Sequence, residues 1–178
     1  MTLNEALDSR RSIRAYKPID VEKSAVEEVI AAAQKAPSWK NSQTARYYVV
    51  MEKEKLAKVK KFCLPPFNQK NCADAPVLIV TAFETSHSGF DNECQPVNEL
   101  GDQWGAYDLG LQNMNLMLKA RDLGLDTLVM GIRDGDSLRE ELSIPNSQNV
   151  VAVISLGYRN IEPDMPKRKN IEDIANFY

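Results

Sequence analysis

Residues 76–83 read PVLIVTAF, an apolar stretch with a proline at its start and a polar segment after it. The side chains of a strand point alternately to two faces, so an uninterrupted apolar run predicts a strand that is buried on both faces. The sheet that contains residues 76–83 is therefore expected to be covered by other elements on both sides.

Strands alternate with helices on either side of this segment. Three more strands are predicted from β-branched and aromatic residues, at RYYVVM (46–51), DTLVMGI (126–132) and NVVAVISLGY (149–158). Thr2 with Glu5, and Ser24 with Glu27, form the pattern of a capping box and so predict two helix starts. Helices are predicted at 2–10, from 24 to before 37, at 52–62, 102–123 and 134–144, with a helical turn at 68–74.

The helix at 102–123 carries two apolar stripes, which predict that it is covered on two sides. The second stripe consists mostly of small side chains, so another helix could approach closely, and a symmetry-related copy is the expected partner. The first stripe is Trp104, Tyr107, Leu111, Met114 and Leu118; the second is Ala106, Gly110, Asn113, Met117 and Ala120.

Length and composition limit the function classes. A chain of 178 residues with 43% hydrophobic and 26% charged residues predicts a single globular domain over 1–178. A net charge of −3 argues against nucleic acid as a partner. No apolar run is long enough for a membrane span, and no secretory signal opens the chain, so a cytoplasmic protein is expected.

The sequence offers few residues for acid–base, thiol or metal chemistry. Three cysteines without a CxxC pair indicate reduced thiols, and a single histidine, His87, argues against a metal site. His87 lies in the polar segment 84–102, which predicts a long surface excursion, and loops of this length often act as lids. We interpret His87 as an exposed loop residue rather than a general base.

Two cationic clusters stand out in this acidic chain. Arg10, Arg11 and Arg14 surround Ser12 near the start, and Lys167, Arg168 and Lys169 lie near the end. Guanidinium groups and a hydroxyl suit a phosphate monoester, because arginine binds two oxygens in parallel and a buried dianion needs more than one cation. A solvated run of charge is the alternative, and spacing alone does not decide between them.

Three motifs in the same order make the chain similar to the nitroreductase family. They are RRSIRAY (10–16), APSWKNSQ (36–43) and PKRK (166–169), and the similarity extends to LGLDTLVMG (123–131) and VISLGY (153–158). The resemblance implies an α+β fold, a mostly antiparallel central sheet flanked by helices, in an intertwined homodimer. It also implies FMN bound at the dimer interface.

The resemblance implies roles for both cationic clusters. Arg10, Arg11, Ser12 and Arg14 would hold the phosphate and ribityl chain, with Lys167, Arg168 and Lys169 completing the phosphate site. Arg14 would lie near the pyrimidine edge of the flavin, where a cation stabilises the negative charge that develops on reduction.

The segment 36–43 would reach the flavin of the other subunit. The matching residues are Pro37, Ser38, Asn41 and Gln43, although an ordinary turn rich in Asn and Ser is the alternative. This chain departs from the family after Gln43, where Thr44-Ala45 stand in place of the common Pro-Trp.

Four further residues match positions at the flavin ring. Asn68 and Asn71 correspond to amides that hydrogen-bond the ring edge, and the alternative for each is a helix cap. Met130 and Gly131 correspond to a strand end whose backbone amides meet the flavin, and Gly131 would permit a close approach or merely end a strand.

The resemblance implies an NAD(P)H-dependent FMN oxidoreductase. NADH or NADPH would give hydride to flavin N5, leave, and be replaced by a nitroaromatic, a quinone or a similar acceptor, in a ping-pong sequence without a catalytic side chain. Two alternatives stay open: a specialised enzyme of the same fold, dehalogenase-like or flavin-fragmenting, and a non-catalytic FMN-binding or storage protein.

Overall fold

The computed structural model describes residues 1–178 and contains one four-stranded sheet. Its strands are Ala45–Val50 (β1), Val77–Glu84 (β2), Asp126–Met130 (β3) and Gln148–Gly157 (β4). Their order is β1-β2-β4-β3 and every neighbouring pair is antiparallel. The predicted α+β class with a mostly antiparallel sheet is confirmed.

Six helices surround the sheet, close to the predicted positions. The Thr2–Glu5 capping box is present, whereas the Ser24–Glu27 box is wrong: the second helix begins at Lys23, with Glu22 before it and no side-chain cap. The helices are Leu3–Ser9 (α1), Lys23–Ala33 (α2), Lys53–Cys63 (α3), Pro66–Asn71 (α4), Gln103–Asp122 (α5) and Gly135–Leu142 (α6). Short 3₁₀ turns occur at Trp39–Asn41 and Ile171–Asp173.

β2 is buried at every position except its last residue, as the apolar run 76–83 predicts. Leu78 and Val80 enter one apolar cluster with α3 and α6, while Val77 and Ile79 enter a second cluster with α2 and α5. The sheet is therefore covered on both faces, and its two central strands carry both layers of the core.

Neither predicted stripe of α5 coincides with its buried face, although Asn113 and Ala120 of the second stripe are buried. The helix turns Gly105, Leu109, Leu116 and Ala120 toward the protein, and leaves Tyr107 59% exposed. Gly105 allows this approach, since a Cβ atom there would lie 2.3 Å from the ring of Phe83. The stripe through Trp104 and Leu118 is thus half-buried or exposed within one chain.

Cys63 and Cys72 are buried, Cys94 is exposed, and all three are free thiols. None of the helices combines the length and the apolar character that a membrane span requires. No three His, Cys, Asp or Glu side chains lie close enough together to hold a metal ion.

Candidate functional site

The arginine loop, residues 10–16, runs along the free edge of β3. Ser12 bridges Thr127 in parallel, and the Ile13 amide donates to the Thr127 carbonyl at 3.0 Å. Ile13 and Tyr16 are buried, so the arginine side chains between and before them face outward. The Tyr16 hydroxyl lies 2.8 Å from Ser155 Oγ, which anchors the loop to β4.

The tail, residues 159–178, leaves β4 beside this loop. Lys17 N donates to Tyr158 O at 2.8 Å and Asn160 N to Ala15 O at 3.0 Å, so loop and tail pair through their backbones. The chain then passes from Pro163 to Arg168 along the outer side of the loop. The two cationic clusters, which lie at opposite ends of the sequence, therefore meet.

The meeting point is a cavity of about 180 Å³, which we name the arginine pocket. It is lined by Arg10, Arg11, Ser12, Arg14, Pro163, Asp164, Pro166 and Arg168. Four guanidinium groups thus face a single carboxylate. Lys167 and Lys169, although predicted with Arg168, do not line the cavity and are exposed.

None of the four arginines of the arginine pocket forms a salt bridge, although Asp164 lines the same cavity. Burial, and then the positive charges of Arg168 and Arg11, lower the pKa of Arg10. The Nε atoms of Arg10 and Arg11 are buried without a hydrogen-bond partner. A buried N–H group left unpaired is costly, and an anion with several oxygens in the pocket would offset the mutual repulsion of the guanidinium groups.

Asn68 connects α4 to the end of β3. Its side chain is buried, and Nδ2 donates to the Ile132 carbonyl at 2.8 Å. Met130 is buried, whereas the space where a side chain of Gly131 would project is open to at least 4 Å. Asn71 is the last residue of α4 and is half-buried. The arginine loop pairs with Thr127 near the start of β3, and Gly131 directly follows the end of β3, about 13 Å away at the usual rise per residue.

The segment PSWKNSQ forms a tight turn before β1. Lys40, Asn41 and Gln43 have left-handed backbones with φ of 45°, 56° and 51°. Ser38 Oγ accepts from Gln43 N at 3.1 Å and closes the turn. Residues other than glycine rarely adopt this backbone conformation, and such conformations concentrate at functional sites.

Within one chain this turn is separate from the arginine pocket. Pro37 and Ser38 line a cavity of about 280 Å³ together with Trp39, Trp104, Tyr107, Asp108 and Leu111. Gln43 lines another, of about 230 Å³, with Gln34, Ala45, Arg46, Tyr47 and Gln112. Neither cavity shares a lining residue with the arginine pocket.

Asp108 is a buried residue that the sequence analysis missed. Its Oδ2 accepts from Trp39 N at 2.9 Å and from Ser88 Oγ at 2.7 Å, and Ser88 Oγ lies 2.7 Å from Ser42 Oγ. The carboxylate therefore joins α5, the turn at 37–43 and the excursion at 84–102. The only sequence signal for it was that Asp108 is the one charged residue among positions 103–118.

The excursion packs against the body of the protein. Ser88 and Gly89 are buried beside Trp104, whereas His87 is exposed, as predicted for a loop residue. Thr44 and Ala45, which stand in place of the Pro-Trp common in the family, adjoin the start of this excursion. Thr44 is buried, and its carbonyl accepts from Glu84 N at 2.9 Å. Ala45 opens β1 opposite Phe83.

The chain matches a known protein family. The model of the nitroreductase family matches residues 7–70 and 64–158. A protein from Archaeoglobus fulgidus, named "Putative NADH dehydrogenase/NAD(P)H nitroreductase", is 31% identical over 160 residues, which cover 88% of this chain and 84% of that protein.

Solved structures share the fold. A nitroreductase family protein from Streptococcus pneumoniae has a TM-score of 0.88 at 22% identity, covering 99% of this chain and all of the other. A protein from Exiguobacterium sibiricum, solved in complex with FMN, has a TM-score of 0.87 at 24% identity, covering 100% and 98%.

Proposed function

Because the chain belongs to the nitroreductase family, we propose that it is an FMN-dependent oxidoreductase that uses NADH or NADPH. Its acceptor would be a nitroaromatic, a quinone or a similar compound. The observation that supports this most strongly is the arginine pocket, where Arg10 and Arg11 keep buried N–H groups without partners. FMN, when bound, supplies the redox chemistry, accepting hydride from the nicotinamide and passing electrons on.

The arginine pocket fits the phosphate end of FMN. Arg10, Arg11 and Arg168 come from both ends of the chain and together offset a dianion, while the Ser12 hydroxyl adds a neutral donor. Arg14 is exposed at the rim and bonds only the Ser12 carbonyl, at 3.4 Å. It is free to approach the flavin ring, where a cation stabilises added negative charge.

Asn68, Met130 and Gly131 would hold the ring edge. The bond from Asn68 to Ile132 fixes the backbone just beyond Gly131, and the open space at Gly131 allows a flat ring to approach the main chain. Asn71, one turn further on α4, would contribute a second amide. These residues orient the ring and leave its reacting face to nicotinamide or acceptor.

A homodimer would complete the site. Tyr107 is 59% exposed on α5, and Ile174 and Phe177 of the tail are 70% and 88% exposed. Large apolar side chains left open in this way mark an association surface. The turn with Pro37, Ser38, Asn41 and Gln43 adjoins that face of α5 and would supply the second wall of the partner's flavin site.

A visible spectrum and an anaerobic titration test the proposal. We expect purified protein to be yellow, or to turn yellow with added FMN, to bleach with NADH or NADPH, and to recover with a quinone or a nitroaromatic. Protein that stays colourless and ignores FMN contradicts the proposal. Protein that binds FMN but never bleaches would instead be a binding or storage protein.

A further inference from the structure

Two segments form the walls of the arginine pocket, the arginine loop and the tail segment 163–168. Arg159 contacts the residue that precedes each wall. Its Nε and Nη2 donate to the two carboxylate oxygens of Asp126, at 2.7 and 2.5 Å. Nη2 also donates to the Ser9 carbonyl at 3.1 Å, and Nη1 to Glu162 Oε2 at 2.8 Å. Ser9 immediately precedes Arg10, and Glu162 immediately precedes Pro163, so one guanidinium touches the start of each wall.

Asp126 locks this arrangement. Its side chain is 1% exposed, and its Oδ2 also lies 3.4 Å from Nη1 of Arg121. Arg121 in turn donates from Nε to Ser9 Oγ at 3.0 Å. The hydrogen bond to Asp126 raises the pKa of Arg159, the opposite of the shift at Arg10. Arg159 and Arg121 are therefore paired with a buried carboxylate, whereas the arginines that line the pocket form no salt bridge.

We infer that Arg159, fixed by Asp126, is a positioning residue that holds the two walls of the arginine pocket at the spacing a phosphate monoester requires. It thereby makes the site prefer phosphorylated flavin over riboflavin, an inference that rests on the proposed function. Arg159 does not line the pocket itself and acts through Ser9 and Glu162.

The planar fork of arginine explains why this position needs that residue. It meets three acceptors from different parts of the chain in fixed directions, which a lysine ammonium cannot reproduce. Without it, the arginine loop and the tail segment 163–168 lose their shared support, because their other joining bonds lie at Lys17 and Asn160. The ring-edge residues Asn68 and Gly131 have no contact with Arg159, so riboflavin, which carries no phosphate, should lose less affinity than FMN.

The experiment compares two flavins on three forms of the full-length apoprotein. Dissociation constants of FMN and riboflavin are measured by quenching of flavin fluorescence for the wild type, Arg159→Gln and Arg139→Gln. Arg139 of α6 is a matched control, a half-buried arginine whose guanidinium donates to the carbonyls of Pro145 and Gln148. We expect the preference for FMN to fall about tenfold or more in Arg159→Gln, because FMN binding weakens more than riboflavin binding, and to stay at the wild-type value in Arg139→Gln.

Each remaining outcome decides the matter. If Arg159→Gln does not fold, Arg159→Lys keeps the positive charge but not the planar fork, and its preference for FMN should fall at least a few-fold. A folded variant with the wild-type preference, or equal losses for both flavins, overturns the inference and leaves the proposed function standing. A wild type that binds both flavins equally overturns the phosphate pocket and the inference together.

Discussion

Ser88 donates to the buried carboxylate of Asp108 across 2.7 Å, and so ties the excursion at 84–102 to the central helix. Trp39 N shares the same oxygen, at 2.9 Å. A buried carboxylate with two sequence-distant partners is expected to matter more for stability than its neighbours on α5.

We expect Asp108→Ala to lower the free energy of unfolding by about 2–3 kcal/mol, because it leaves two buried donors without an acceptor. Urea denaturation curves of the apoprotein, recorded at one fixed protein concentration, measure this difference. Asp20→Ala is the control, since Asp20 is exposed and forms no hydrogen bond, and its effect should stay within about 0.5 kcal/mol. A loss of stability in Asp108→Ala no larger than that in Asp20→Ala would show that the hydrogen bonds of Asp108 do not stabilise the fold.

The basic tail cluster should divide sharply. Arg168 lines the arginine pocket, whereas Lys167 and Lys169 do not, so Arg168→Ala should weaken FMN binding by about tenfold or more. Lys167→Ala and Lys169→Ala should change it by no more than a few-fold, through screened long-range attraction. Equilibrium ultrafiltration with free FMN gives the three constants. A lysine variant as weak as Arg168→Ala contradicts this division.

Local pattern was sufficient for most of the fold. The strands and helices lie within a few residues of their predicted bounds, because an apolar run such as 76–83 reports its own burial directly. The orientation of α5 was not predictable in this way. Its buried face includes Gly105, Asp108 and Gln112, whose burial depends on Phe83, Trp39 and Tyr47 from other parts of the chain.

The candidate site divides in the same manner. Arg10 and Arg168 were predicted as partners from the family resemblance, and the structure brings them to one cavity by pairing the arginine loop with the tail. Arg159 and Asp126 escaped prediction because neither lies in a cluster of like charges. Their significance lies in contacts that span 33 and 150 residues of sequence, which no spacing rule reports.

Alkaline pH should destabilise the fold through two buried thiols. Burial raises the pKa of Cys63 and of Cys72 to about 11, from an ordinary value of 9.0. Between these values the unfolded chain loses protons that the folded chain keeps, so stability is full below about pH 9 and declines as the pH rises toward 11. Urea denaturation at pH 8 and pH 10.5 should show a smaller decline in Cys63→Ala/Cys72→Ala than in the wild type. Cys94→Ala, at an exposed thiol, should keep the wild-type decline.

Assembly should depend on the exposed stripe of α5. Tyr107 is 59% exposed there and packs edge-on against Trp104, with 5.5 Å between ring centroids. If two α5 helices face one another, Tyr107→Asp places a charge in a desolvated interface and should convert a dimer to monomers. The monomers should bind FMN weakly, because each proposed flavin site would need both chains. Sedimentation velocity measures the first effect and flavin fluorescence the second. Phe62→Asp is matched, because Phe62 is 60% exposed on α3, away from this stripe, and should leave the dimer intact. A Tyr107→Asp variant that remains dimeric and yellow would place the interface on another surface.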